Sequence, residues 1–229
     1  TKYSQGILPI DSFLIFNSGF DLMNGYLPFK DYWTIKEPFI DFLQAIIFKI
    51  FGVSWFSYVF HASIFNSLIS VSTFLILKQF NLKSNYCLLY SICVAILTYP
   101  TAGTPFSDHH ALILSMISLF FFILAIKTKK NVYWFLTPVI LGFSFLSKQA
   151  PTAYIVVIIS FLSVFYFFYK KDLKIFYYAL AGLIFVLTLF FIFIFLANIN
   201  FNDFLIQYIY FPKSLGGTRL DWVFPLEFQ

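Results

Sequence analysis

Three carboxylates near the start of the chain, Asp11, Asp31 and Glu37, could each take a proton from a hydroxyl or amine, or orient it. Cations that could meet an anionic oxygen are Lys36, beside Glu37, Lys148 with its neighbour Gln149, and Arg219. Arg219 is the only arginine and follows Leu215-Gly216-Gly217-Thr218, where a flexible turn would deliver a fork suited to phosphate. Lys36 could meet a phosphate or an anionic lipid headgroup. The run Ser107-Asp108-His109-His110 could bind a phosphate through its histidines or, through Asp108, a divalent cation such as Mg or Mn. Adjacent histidines on a helix point about 100° apart, so both rarely ligate one ion.

Each residue also has a plainer reading. Asp11 precedes a helical pattern and would make a good N-cap. Asp31 sits in an aromatic turn, Phe29-Lys30-Asp31-Tyr32-Trp33, and Glu37 could cap a helix starting at Pro38. Lys30, Lys36 and Lys148 could be snorkelling charges at a membrane interface. Ser107 or Asp108 could simply open a helix, where the dipole favours an acid. Arg219 could sit on an ordinary surface loop. Asp21 and Asp41 read as solvated-face residues, and His61 as a packed histidine bonded to a neighbouring helix.

The elements that must position these groups are membrane helices. The chain is 60% hydrophobic, 24% aromatic and 11% charged, with a mean hydropathy of +0.84. Soluble domains carry roughly 25% charged residues, so this chain lacks the charge to cover a water-facing surface. The expected fold is all-α and polytopic, one transmembrane domain over 1–229, with about six spanning helices and amphipathic helices in the first outer loop. Residues 1–54 mix charges with Phe, Leu, Ile, Trp and Tyr. They predict short interfacial helices over 11–23, stopping near Asn24-Gly25, and from Pro38 to Gly52. Spans are predicted over 55–80, 84–99, 111–126, 132–147, 152–169 and 175–197. The second to fourth are short for a bilayer. Residues 198–229 form another outer loop, with Phe201, Phe204, Leu205, Tyr208 and Ile209 at helical spacing. The chain reads as a fragment lacking at least one N-terminal helix. Cys87 and Cys93 match no metal or redox spacing.

Charge gives the predicted bundle a direction. The loops after the first, third and fifth spans hold Lys78, Lys83, Lys127, Lys129, Lys130, Lys170, Lys171 and Lys174, with Asp172 as their one acid. By the positive-inside rule these loops are cytoplasmic. The first segment, Asp108, Lys148 and the tail then share the outer face, which in a bacterial inner membrane is the periplasmic one. The net charge of +5 does not point to nucleic acid, because the bases are mostly lysines at helix ends.

The stretch Gly25-Tyr26-Leu27-Pro28-Phe29-Lys30-Asp31, the helix start Pro38-Phe39 and the closing Phe51-Gly52, all after Asp11, resemble the first outer loop of GT-C glycosyltransferases. The likeness is to the branch of protein O-mannosyltransferases and bacterial aminoarabinose (lipid A) transferases. Gly142-Phe143-Ser144-Phe145-Leu146-Ser147-Lys148 is similar to a second segment of that family. The family often carries Asp-Glu at the first acidic site, whereas Ser12 follows Asp11 here. The resemblance implies a membrane-embedded transferase of hexosyl or pentosyl groups. Its donor would be a polyprenyl-phosphate-linked sugar, and its acceptor a lipid, glycan or protein. Asp11, Asp31 or Glu37 would serve as base. Lys36, Lys148, Gln149, Arg219, His109 and His110 would meet the substrate or its phosphate. Rival readings are a flippase for a lipid-linked saccharide, which should show charged or Gly/Pro-broken helices near the midplane, and a non-catalytic membrane subunit of the same fold.

Overall fold

The computed structural model describes residues 11–34, 38–100 and 103–215, with the side chains of Asp11 and Ser12 excepted. Among them the chain is helical and holds no strand, only an isolated bridge between Pro28 and Tyr32. The helices are α1 (Asp11–Met23), α2 (Pro38–Phe51), α3 (Trp55–Gln79), α4 (Ser84–Leu97), α5 (Ser107–Thr128), α6 (Asn131–Ser147), α7 (Gln149–Lys170), α8 (Leu173–Leu196) and α9 (Phe201–Leu205). A π-helical turn, Ile206–Tyr210, continues α9.

By length and apolar composition α3, α5, α7 and α8 can each cross a membrane. α4 and α6 have 14 and 17 residues, about 21 and 26 Å of helix, short of a hydrocarbon core of about 30 Å. α6 tolerates this because it is clasped by α5 on one side and α8 on the other. Two predicted spans prove longer than their apolar windows: α5 begins at Ser107 and α7 at Gln149. Their polar first turns stay helical because a backbone near lipid satisfies its own N–H and C=O groups best in a helix.

Apolar packing alone does not hold helices together in lipid, since lipid tails are equally apolar; small residues and polar contacts do. Gly182 of α8 lies so close to α6 that an added Cβ would collide with the Phe135 carbonyl, and one at Gly142 of α6 would sit 2.6 Å from Val186. Hydroxyl rungs cross the same core. Ser144 lies 2.9 Å from Ser115 and 2.7 Å from Thr152, and Ser118 donates to the Thr137 carbonyl at 2.8 Å. α6 passes Pro138 without a break.

The predicted helix stops hold: Gly25 and Gly52 both take positive φ, 94° and 78°, beyond the ends of α1 and α2. α2 is more than a surface helix. It buries Ile40, Ala45 and Phe48 together with Asp41 and Gln44, against α1, α3 and α6. At the other end of the bundle the lysine loops meet, with the Lys127 ammonium 4.0 Å over the Phe80 ring.

Candidate functional site

Lys148 is the single non-helical residue between α6 and α7, with φ −162° and ψ 134°. That break turns the chain and aims the lysine at the first turn of α5. Its Nζ donates to both oxygens of Asp108, at 2.6 and 2.7 Å. Asp108 is also favoured there by the positive end of the α5 dipole. It does not cap the helix; the N-cap is Phe106. The Lys148 side chain is 23% exposed and that of Asp108 47%, so an anion can approach the pair from outside. A divalent ion at Asp108 would compete with Lys148 for the same oxygens.

The histidines do not act with Asp108. His110 is fully buried and turned inward, its Nδ1 donating to the Phe106 carbonyl at 2.9 Å and its Nε2 lying 3.2 Å from Nε2 of His61. His110 therefore does not face a phosphate beside His109, as the sequence suggested: the roughly 100° step between helical neighbours sends its imidazole into the core. His109 stays half-buried against the Phe106 ring. Among the described residues no three His, Cys, Asp or Glu side chains converge on one point.

Gln149 is likewise recruited into packing, donating from Nε2 to the Tyr208 carbonyl at 3.2 Å. Tyr208 in turn donates its hydroxyl to the Phe145 carbonyl at 2.6 Å. The π-helical turn is thus fastened to the outer end of α6. Its other neighbour, Gln207, accepts from the Thr34 N–H at 2.9 Å and donates to the Phe29 carbonyl at 3.1 Å. Phe29 adopts the left-handed φ of 67° and meets the stacked Phe204 and Tyr208 rings edge-on. Lys30 donates to the Ala197 carbonyl past the C-terminal end of α8, where a cation suits the dipole. The segment between α1 and α2 is therefore clamped to the one that follows α8.

Asp31 is exposed and closes its own turn, accepting the Leu27 N–H at 2.8 Å. Asp41, read from the sequence as solvated, is 2% exposed. Ser18 of α1 donates to it at 2.5 Å and Tyr32 at 3.3 Å. Burial and the negative Asp41 together push the Tyr32 hydroxyl well above its ordinary pKa, so it remains a neutral donor. Asp41, Gln44 and Gln207 are the polar residues that sequence reasoning missed. The signal for the first two was present: Asp41 and Gln44 stand three apart, on the same helix face as the apolar Ile40, Ala45 and Phe48. Asp11 opens α1, but its side chain lies outside the described residues, as do Lys36, Glu37 and Arg219.

Beside this outer cluster lies an apolar groove of about 640 Å³ between α6, α7 and α8. α7 and α8 barely touch, and the gap is floored by α6. The groove runs from Trp134 and Phe167, near the lysine loops, to Phe145, Leu146 and Tyr208 at the opposite end, two residues short of Lys148. The family model described as dolichyl-phosphate-mannose-protein mannosyltransferase matches residues 36–199. The chain belongs to this mannosyltransferase family. The family falls within the GT-C superfamily, so the resemblance to a GT-C glycosyltransferase is borne out; the match takes in Pro38-Phe39, Phe51-Gly52 and the segment ending at Lys148, and begins after Asp11 and the 25–31 stretch. No curated protein and no solved structure matches the chain. Membership makes the chain an integral membrane protein of a glycosyltransferase family.

Proposed function

We propose that the protein transfers a hexosyl or pentosyl group from a polyprenyl-phosphate donor to a hydroxyl or amine of a lipid, glycan or protein, at the periplasmic face of a bacterial inner membrane. The observation that carries this reading is the meeting of the apolar groove with the half-exposed Lys148–Asp108 pair at the outer end of α6. A long isoprenoid chain fits the groove, and its phosphate would reach Lys148. In the reaction the bond between the sugar's anomeric carbon and the phosphate oxygen breaks as the acceptor's oxygen or nitrogen bonds to that carbon. The acceptor's proton passes to a carboxylate, Asp11 or Glu37, and polyprenyl phosphate leaves. Lys148, with Lys36 and Arg219, stabilises the growing charge on that phosphate.

Unbroken packing of α6 on α8 at Pro138, Gly142 and Gly182 speaks against the flippase reading, which needs interrupted helices at mid-depth. The test is an assay of the full-length protein in liposomes with a labelled polyprenyl-phosphate sugar and a membrane extract as acceptor. Label should move from the donor lipid to a new species, and Asp11→Asn should abolish the movement. Label that crosses the bilayer while still on its lipid would overturn the proposal in favour of a flippase. Undiminished transfer by Asp11→Asn would remove Asp11 from the mechanism.

A further inference from the structure

α2, α3 and α5 meet at three buried polar side chains, Gln44, His61 and His110, exposed by 0, 0 and 1%. The Gln44 carboxamide lies 2.8 Å from His61 Nδ1, the two Nε2 atoms lie 3.2 Å apart, and His110 Nδ1 lies 2.9 Å from the Phe106 carbonyl. Neutral side chains satisfy these contacts in one way. The Phe106 carbonyl can only accept, so His110 Nδ1 carries a proton and its Nε2 is a lone pair. His61 Nε2 must then donate to it, which leaves His61 Nδ1 as an acceptor. The atom placed toward His61 is Gln44 Oε1, and a half-turn of the carboxamide, which exchanges two near-identical atoms, presents the amide N–H that this network requires. The donors run in one direction, from α2 through α3 to α5.

The string ends on the carbonyl of the α5 N-cap, two residues before Asp108. It begins on α2, whose first residue follows Lys36 and Glu37. Gln44 is wedged against α1 as well, because a Cβ at Gly19 would lie 2.6 Å from its side chain. The Phe65 ring packs against both imidazoles, with centroids 4.1 Å from His110 and 5.5 Å from His61. Removing one member leaves its neighbour buried without a partner, so the string holds as a whole or rearranges as a whole.

We propose that Gln44, His61 and His110 are positioning residues, a single directional hydrogen-bond string that sets the first turn of α5, and so holds Asp108 against Lys148, relative to α2. The proposed transfer reaction makes this placement matter, but the placement itself is measurable without any substrate. The experiment uses full-length protein in nanodiscs, as wild type, Gln44→Leu and His110→Asn. The asparagine variant can still donate to Phe106 but cannot reach His61. Acylation of Lys148 by an amine reagent is followed by mass spectrometry, with Lys213 as internal reference. Both variants should raise the Lys148 rate about fivefold, and the double variant should be no faster than the faster single one, as expected for residues of one network. Nitrogen NMR of labelled histidine should show His110 as the Nδ1–H tautomer and His61 as the Nε2–H tautomer in wild type.

Unchanged Lys148 labelling in variants with wild-type melting temperatures would overturn the proposal, as would an Nε2–H tautomer at His110. A rise in labelling together with an inactive wild type would refute the transferase reading and leave the string standing. With an active wild type, both variants should lower kcat about tenfold at unchanged donor KM.

Discussion

Lys148 and Asp108 are forty residues apart in the chain, yet the ammonium of one sits within 2.7 Å of both carboxylate oxygens of the other. The pair joins the end of α6 to the start of α5 at the end of the bundle opposite the lysine loops. It is open enough for a phosphate to share the lysine. Replacement of Lys148 by Ala should lower transfer by about a hundredfold or more, the scale of losing one donor to a developing oxyanion. Exchange of the two charges, Lys148→Asp with Asp108→Lys, should restore the melting temperature without restoring transfer. Recovery of activity in the exchanged protein would show that the pair only holds the helices together.

Tyr32 gives a pH signature. Its hydroxyl is desolvated and donates to the buried Asp41, which raises its pKa in the folded protein above the ordinary value of 10.0. Unfolding returns the phenol to that ordinary value, so the unfolded state loses the proton first. The contribution of Tyr32 is therefore complete below about pH 10 and is lost progressively as the pH rises further. Melting temperatures measured between neutral and strongly alkaline pH should fall more steeply for wild type than for Tyr32→Phe. Parallel curves would contradict the assignment.

Gln207 should prove a larger stability determinant than its place on an outer loop suggests. Replacement by Ala leaves the Thr34 N–H and the Phe29 carbonyl without their partner, and each buried orphan costs roughly 1–3 kcal/mol. Hydrogen exchange should report it directly: residues 26–34 exchange faster in Gln207→Ala while α5 and α6 are unaffected.

Much of this architecture was legible in the sequence. The stops at Gly25 and Gly52, the start at Pro38 and the alternation of lysine loops follow from backbone freedom and charge sorting, which are local properties. The pairing of Lys148 with Asp108 was only half legible: each stood out as an ionisable group on the outer side, but their meeting depends on how α5 packs on α6. Asp41 was misread because its flanks, Ile40 and Phe42, suggest a surface charge among interfacial apolar residues. What buries it is α1, a neighbour that no spacing within α2 reveals. Gln207 was invisible for the same reason, since both of its partners lie more than 170 residues away.

Gly182 is the position most sensitive to size. A side chain there would strike the Phe135 carbonyl and the Pro138 ring, both attached to a backbone that cannot rotate away. Gly182→Leu should force α8 off α6 and cost more than the roughly 1–3 kcal/mol typical of overpacking. Gly142→Ala meets only the Val186 side chain and no backbone atom, and should cost less. Size-exclusion profiles after graded heating in detergent rank the two, and a Gly182→Leu protein as heat-resistant as wild type would contradict the close approach.

The gap between α7 and α8 opens sideways, through exposed Val164, Phe176 and Leu187, rather than toward water. In a bilayer a groove of that kind is never empty. Acyl chains of the surrounding bilayer fill it whenever nothing else does, and they are as oily as any ligand that would replace them. Exchanging one hydrocarbon for another releases almost no ordered water, so on the proposed reading discrimination among lipids falls to chain shape and above all to a headgroup that can meet Lys148. The concentration that governs loading is then the mole fraction of the ligand among membrane lipids, and extra detergent or phospholipid would act on this protein as a competitive inhibitor.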